Sequence, residues 1–298
     1  MTSPEKIAVT GATGQLGRRV IADLLRIAPT ARVSGIVRDA AAAKDLAERG
    51  VGLRVANYDD YASVAAALAG ADKVLLISSS AVEQRTVQHR HVIEAAKAAG
   101  VRLIAYTSIL HADSNPMVLA VEHRETEGLI RSSGVPFVLL RNGWYTENYT
   151  DKIAAAIKRG VVLGAAANGR ISSAARADYA AAAAVTLASR EAAAGKVYEL
   201  AGDDAYTLAE LAAEIARQSG KSVVYKDLPE ADYRMALHAE GLPAVLAGLY
   251  AESDAKAANG ALHDESGQLS ALIGRPTTTM AQSVAAALAL VHSTGGNT

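Results

Sequence analysis

Cysteine is absent from the 298 residues, and that single absence removes several chemistries. No disulfide can form, no thiolate can hold zinc or an iron–sulfur cluster, and no sulfur nucleophile or redox dithiol exists. An excess of charge is missing as well. The chain has 30 basic and 31 acidic residues, interspersed, so nothing builds a basic face that would attract a nucleic-acid backbone. Long apolar runs are also lacking: "VLLIS" and "FVLL" fall far short of the roughly 20 residues a membrane span needs, and "AAAAVTLA" is small-residue filler. The opening "MTSPEKIAVTG" carries neither the basic start nor the apolar stretch of a secretory signal. These absences lead to the expectation of a soluble, cytoplasmic protein, with neither nucleic acid nor membrane among its partners.

What is present is an ordinary apolar share, 50% of residues, supplied largely by alanine, which suits close packing of helices on a sheet. Short β-branched runs predict strands at 6–10, 32–37, 51–56, 73–78, 101–107 and 136–141. Helical patterns between them predict helices at 15–27, 40–49, 60–69, 82–99 and 116–133. Gly50, Gly70, Gly100 and Gly134 each stand between a helix and the next strand, where a left-handed cap is needed. The alternation specifies an α/β fold, a doubly wound parallel sheet of the Rossmann kind, with a smaller C-terminal α/β lobe. The expected division is a dinucleotide-binding core over 1–141, with 171–201 returning to it, and a substrate-side lobe over 142–170 and 202–298. Within that lobe, "VVLGAAANGRISSAARADY" reads as short strands around an Asn-Gly turn, and 196–200 as a further core strand.

The most informative stretch is "KIAVTGATGQLGRRVIADLL". A strand runs into Gly11, Ala12, Thr13, Gly14, Gln15, Leu16 and Gly17, and a helix follows at once. In such a turn the first glycine permits the bend, the second lets backbone approach a pyrophosphate, and the third lets helix and strand pack closely. The helix start then offers unpaired N–H groups to an anion. This places a nicotinamide dinucleotide on the loop. The second strand ends "GIVRD", where an acidic residue would favour NADH; here the position falls on Arg38, which suits the 2′-phosphate of NADPH. The neighbouring Asp39 keeps NADH open as the alternative coenzyme. Asn57 and Tyr58 follow the third strand, within reach of an adenine edge, and Ser78, Ser79 and Ser80 follow the fourth.

None of the 11 tyrosines has a lysine four residues later, so the usual short-chain dehydrogenase proton relay is not encoded. His89 and His91, two apart on a helix, point different ways and do not make a metal site. His111 reads as a loop cap. His123 falls on a helix expected to face the cleft and, like Ser108, is a candidate proton donor. After the sixth strand, "LRNGWYTENY" sets Asn142, Gly143, Trp144, Tyr145, Thr146 and Glu147 in a loop rich in amides and rings, including the only tryptophan.

These segments carry a family resemblance. "VTGATGQLGRRV", "LLISSS", "QHRHVIEAAKAAGVRLIAYTSILHADSNP", "LLRNGWYTENY", "SAARADYAAAAA" and "IGRPTTT" together resemble the type-2 NADPH:quinone oxidoreductases of bacteria. That group lies among the NmrA-like, atypical short-chain dehydrogenases. The chain is similar also to triphenylmethane dye reductases, though less so in "RNGWYTENY" and "TSILHADS". His123 stands where plant isoflavone and lignan reductases carry a catalytic lysine. The resemblance implies NADPH held by the glycine loop and Arg38. It implies nicotinamide-side segments at 78–80 and 142–147, and a further contact from Arg176, whose plain alternative is a helix-start pairing with Asp178. It implies direct hydride transfer to a small quinone without flavin or metal, with Tyr145 and Trp144 sandwiching the ring and Asn142 donating to its carbonyl. Two other readings remain: an NmrA-like NADP-binding redox sensor without turnover, and a reductase of dyes or other conjugated electrophiles. A helix-rich lobe is compatible with a homodimer.

Overall fold

The computed structural model describes residues 4–81, 83–189 and 194–295. In chain order the first elements are β1 (Lys6–Val9), α1 (Gln15–Ile27), β2 (Arg32–Val37), α2 (Lys44–Glu48), β3 (Gly52–Val55), α3 (Tyr61–Leu68) and β4 (Lys73–Leu76). Next come α4 (Arg85–Ala98), β5 (Leu103–Ile109), α5 (Val118–Ser133), β6 (Phe137–Asn142), α6 (Glu147–Thr150), α7 (Ile153–Arg159) and β7 (Val161–Gly164). The chain continues through α8 (Arg176–Ala188), β8 (Lys196–Leu200), α9 (Leu208–Ser219) and β9 (Val224–Asp227). It ends with α10 (Glu230–Ala239), α11 (Ala244–Ala257), α12 (Gln268–Ile273) and α13 (Met280–Gly295). No helix among the described residues is long and apolar enough to cross a membrane.

Two compact units divide the chain. The first comprises Met1–Asp113, Val121–Asn142 and Ala177–Glu199; the second comprises Ser114–Ala120, Gly143–Arg176 and Leu200–Thr298. The return to the first unit thus covers 177–199 rather than 171–201, and 114–120 joins the second unit.

The first unit is organised by a seven-stranded sheet in the order β3-β2-β1-β4-β5-β6-β8. The pairs from β3 through β6 run parallel. The strands form because both faces are covered: "KVLL" and "LIAYTSI" are buried throughout. Alternate residues serve alternate faces. Ala8, Ile36, Val74, Leu76, Ile104 and Tyr106 pack with Val64, Leu68, Val92, Ile93 and Ile130 of α3, α4 and α5. On α1 the buried residues Leu16, Val20, Ile21 and Leu24 recur at helical spacing, and Ile21 reaches the space beside Gly35 of β2. The four glycines anticipated as caps all have positive φ, between 68° and 83°. Lys73 is buried at the start of β4, where its ammonium donates to the carbonyls of Leu187 and Ser189 and pairs with Glu5 at 3.0 Å.

The second unit contains the parallel pair β7–β9 and the helices around it. Its α9 begins with a capping box, Thr207 and Glu210 each bonding to the other's backbone. The hairpin anticipated at Asn168-Gly169 is not formed. β7 pairs with β9 instead, while Ile171 bridges to Tyr206 and Ala174 to Tyr145. The glycine has another use: a Cβ on Gly169 would stand 2.3 Å from the Ala257 carbonyl, so the residue permits a close approach to the end of α11.

Candidate functional site

The carboxyl ends of β1 to β4 open a cleft of about 320 Å³ within the first unit. Gly11, Thr13 and Gly14 line it, as do Arg38, Asn57, Tyr58, Asp59, the segment 77–81 and Gln88. Gly11 holds a φ of +58°, and the Gly14 amide donates to the Gly11 carbonyl at 2.9 Å. Gly17 packs so closely that a Cβ would lie 2.3 Å from the Gly11 oxygen. The first bond within α1 is from the Arg18 amide to the Gly14 carbonyl. No side chain caps this helix, and no acidic residue stands in its first turn. Its leading amides are therefore open to an anion. Ala12, Leu16 and Gly17 do not line the cleft. Ala12 is buried and gives its amide to Ile36, so these three shape the loop from behind. Gln15 is exposed at the helix start. Arg18 braces the loop, donating to the carbonyls of Thr13 and Ala42 and pairing with Asp45.

Arg38 and Asp39 lie differently in the structure. Asp39 Oδ1 accepts the Ala41 amide at 2.8 Å and so turns into the backbone that follows, while Arg38 lines the cleft. On the adjoining strand end, Asn57 Oδ1 accepts the amide of Asp59 at 3.2 Å. The segment after β4 is fixed from both sides: Thr10 Oγ1 accepts the Ile77 amide and Thr107 Oγ1 accepts that of Ser78. Sequence reasoning did not single out Asp59 or Gln88. Gln88 was visible only as one polar residue in "QHRH", and nothing in a helix pattern says which turn overhangs a cleft.

Further along the sheet, Ser108, Glu127 and Arg141 form a buried cluster. Ser108 donates to Glu127 Oε1 at 2.6 Å, and Arg141 reaches Glu127 through Nε and a terminal nitrogen at 2.9 and 2.7 Å. Arg141 also meets Glu199 and Asp113. Burial works against its charge, yet the hydrogen bonds it donates to Glu127, Glu199 and Asp113 carry its pKa above the ordinary value. Asn142, the last residue of β6, is 6% exposed, and its side-chain oxygen accepts no hydrogen bond among the described residues. The His111 amide donates to Glu199 Oε2 from a backbone with φ of +52°, which suits its reading as a loop cap.

His123 departs from expectation. It lies on α5 but inside the fold, 7% exposed, with Nδ1 2.7 Å from the Tyr106 hydroxyl. Burial, then the cation of Arg85 and the neighbouring His89, hold its pKa well below the usual imidazole range. It is neutral at pH 7 and has no acidic proton to deliver. Ser108 is likewise committed, its proton directed at Glu127. His89 and His91 diverge: His89 faces inward to Ser79 and Thr126, whereas His91 meets the Tyr58 carbonyl.

The aromatic loop belongs to the second unit. Trp144 is buried and meets Tyr250 edge-to-face at 5.5 Å, so its ring packs rather than presenting a face. Tyr145 is half-buried, with the Arg176 guanidinium 5.0 Å from its ring centre. Both carboxylate oxygens of Glu147 accept the Arg176 amide, and the Arg176 guanidinium lies 3.9 Å from the same carboxylate. Thr146 shares a hydrogen-bond chain with Ser173 and Tyr206. Behind the loop, Tyr149 donates to Asp254, a carboxyl that burial lifts to about 6 despite the bonds it accepts from Ala165 and Tyr149.

With this geometry in view, known proteins offer four points of comparison. The NmrA-like family model matches residues 3–268. Quinone oxidoreductase 2 of Escherichia coli (strain K12) is 56% identical over 280 residues, which cover 93% of this chain and 97% of that protein. The crystal structure of an NADPH-dependent quinone oxidoreductase from E. coli complexed with NADPH superposes with a TM-score of 0.91 at 55% identity, covering 95% and 99% of the two chains. The Citrobacter sp. triphenylmethane reductase complexed with NADP(H) gives a TM-score of 0.90 at 34% identity, covering 94% and 99%.

Proposed function

The chain belongs to the NmrA-like family, and from that membership we propose that it is a cytoplasmic NADPH-dependent quinone oxidoreductase, working by direct hydride transfer without flavin or metal. The observation that carries this reading is the polarity of the cleft: Arg38 lines it while Asp39 is spent on a backbone amide. A guanidinium at the end of the second strand suits a 2′-phosphate, where a carboxylate would select a free hydroxyl. The likeness to the E. coli quinone oxidoreductases supports a quinone as the acceptor.

The residues fit the dinucleotide. Gly17 has no room for a Cβ, the first turn of α1 is uncapped, and the buried Asn142 oxygen has an open acceptor position. When bound, NADPH supplies a hydride from nicotinamide C4, which with one proton converts a quinone to a hydroquinone. The chain supplies position and electrostatics. Amides of the loop and of the first turn of α1 hold the pyrophosphate, Arg38 holds the 2′-phosphate, and Ser78 and Ser80 hold ribose. The Asn142 amide donates to the quinone oxygen on which charge develops, a preorganised donor of the oxyanion-hole type. Within the second unit, the Arg176 guanidinium stands over the Tyr145 ring, 5.0 Å from its centre, and holds that ring in place. Because Ser108 is committed and His123 is neutral, the proton comes from solvent.

Stopped-flow mixing of the NADPH-loaded protein with 1,4-benzoquinone tests the reading. Loss of nicotinamide absorbance far above the uncatalysed rate is expected. Tight NADPH binding with no oxidation across several quinones would leave a sensor instead.

A further inference from the structure

The helix α4 grips one residue of the cleft by every polar group it has. The Ser79 amide donates to His89 Nε2 at 2.9 Å, its hydroxyl donates to Gln88 Oε1 at 2.5 Å, and its carbonyl accepts from Arg85 Nε at 2.7 Å. The histidine's role follows from its neighbours. Thr126 sends its proton to the Glu122 carbonyl, so its oxygen must accept from His89 Nδ1–H. Nε2 is then the bare nitrogen that the Ser79 amide requires.

Gln88 differs from the other two in that its second partner, Asp59, also lines the cleft. While Oε1 receives the Ser79 hydroxyl, Nε2 donates to Asp59 Oδ1 at 2.8 Å. Asp59 follows β3 and Ser79 follows β4, and both line the cleft together with Gln88 itself, which is 8% exposed. One planar amide thus joins the adenosine end of the site to the segment 78–80. An amide so held has little rotamer freedom, and movement at one end must be met at the other.

We propose that Gln88 is a positioning residue that couples the two halves of the dinucleotide site. Occupancy at the adenosine end orders Asp59, and through the Gln88 amide it orders Ser79 and the adjoining contacts to the nicotinamide half. This rests on the reading of the cleft as an NADPH site. It predicts that the two halves of the cofactor bind with positive cooperativity carried by this side chain.

The probes are the half-molecules adenosine 2′,5′-bisphosphate and reduced nicotinamide mononucleotide. Affinity for the mononucleotide is measured by fluorescence titration of the full chain, with and without saturating bisphosphate. In the native chain the bisphosphate should tighten the mononucleotide about five-fold or more. Gln88→Met, of similar length but without the amide, should bring that factor close to one. Asp59→Ala cuts the same link from an exposed residue and should do likewise, with the double variant no worse than either. Asp59→Asn retains an acceptor oxygen and should restore the factor. A factor equal in native and Gln88→Met protein, or absent in the native protein, overturns the proposal. In either case NADPH-driven quinone reduction, measured in parallel, tells whether the functional reading stands without it.

Discussion

At the scale of the residue, the proposed function gives recognition to one side chain and chemistry to another. Arg38 lines the cleft while the neighbouring Asp39 accepts the Ala41 amide, so Arg38→Ala should raise KM for NADPH about ten-fold, the worth of one charge-assisted hydrogen bond of about 1.4 kcal/mol. KM for NADH should barely move, and steady-state kinetics with both coenzymes check this. Asn142 is the residue proposed to act on the substrate. Asn142→Ala should lower kcat about 10²-fold while NADPH affinity stays within about three-fold, because the amide is proposed to act on charge that appears only in the transition state. Equal losses in turnover and affinity would remove that role. Side-chain commitments were the part of the site least legible in the sequence. Asp39, one residue beyond the favoured Arg38, kept NADH open as the alternative, and no pattern could show that its carboxylate accepts the Ala41 amide. His123 looked available until its ring proved to be buried against Tyr106. Trp144 looked like a ligand face until Tyr250, more than a hundred residues away in sequence, proved to occupy its side.

At the scale of the element, periodicity told most of the truth. β2 and β8 match their expected bounds, and the other sheet strands differ by a few residues at most, because continuous apolar runs bounded by glycine caps leave little choice. α5 starts at Val118 rather than 116. α4 starts at Arg85 rather than 82, a position outside the described residues. The pattern could not show which long-range partner a short strand finds: β7 reads as half of a hairpin but pairs with β9. The glycine loop, by contrast, was legible because its constraints are local. Gly17→Ala would drive a methyl to within 2.3 Å of the Gly11 oxygen and 2.9 Å of the Ala12 Cα, both backbone atoms. Strand and helix must then separate, so the variant should lose about 1–3 kcal/mol of stability in urea unfolding and bind NADPH far more weakly in the same preparation.

At the scale of the whole molecule, buried titratable groups set the response to acid. Burial, with the cation of Arg85, lowers His89 to about 3, and His123 is also held below its unfolded value. Each is neutral when folded but takes up a proton when unfolded below about pH 6.5, so each stabilises above that value and loses its contribution as pH falls. Asp254 has the opposite sign. Its folded pKa of about 6 exceeds the unfolded 3.8, so the stability linked to its protonation is complete below pH 3.8 and is lost as pH rises through 6. Two histidines outweigh one carboxyl, and stability should fall as pH drops from 6 to 4. His89→Gln, which can keep both hydrogen bonds, should flatten that slope by about 1.4 kcal/mol per pH unit; Asp254→Asn should steepen it. Urea unfolding followed by circular dichroism at pH 4–7 reads both.

The two units are also interleaved along the chain, and this governs how the protein is born. A nascent chain that has reached Asn142 contains six of the seven strands of the main sheet, yet its Lys73 ammonium still lacks the carbonyls of Leu187 and Ser189. The first unit is complete only once Glu199 has emerged from the ribosome. By then residues 143–176 are already outside, with β7 waiting as an unpaired edge for β9 to be translated. Synthesis therefore passes through an interval in which the main sheet has all its strands while the second unit still carries one strand without its neighbour.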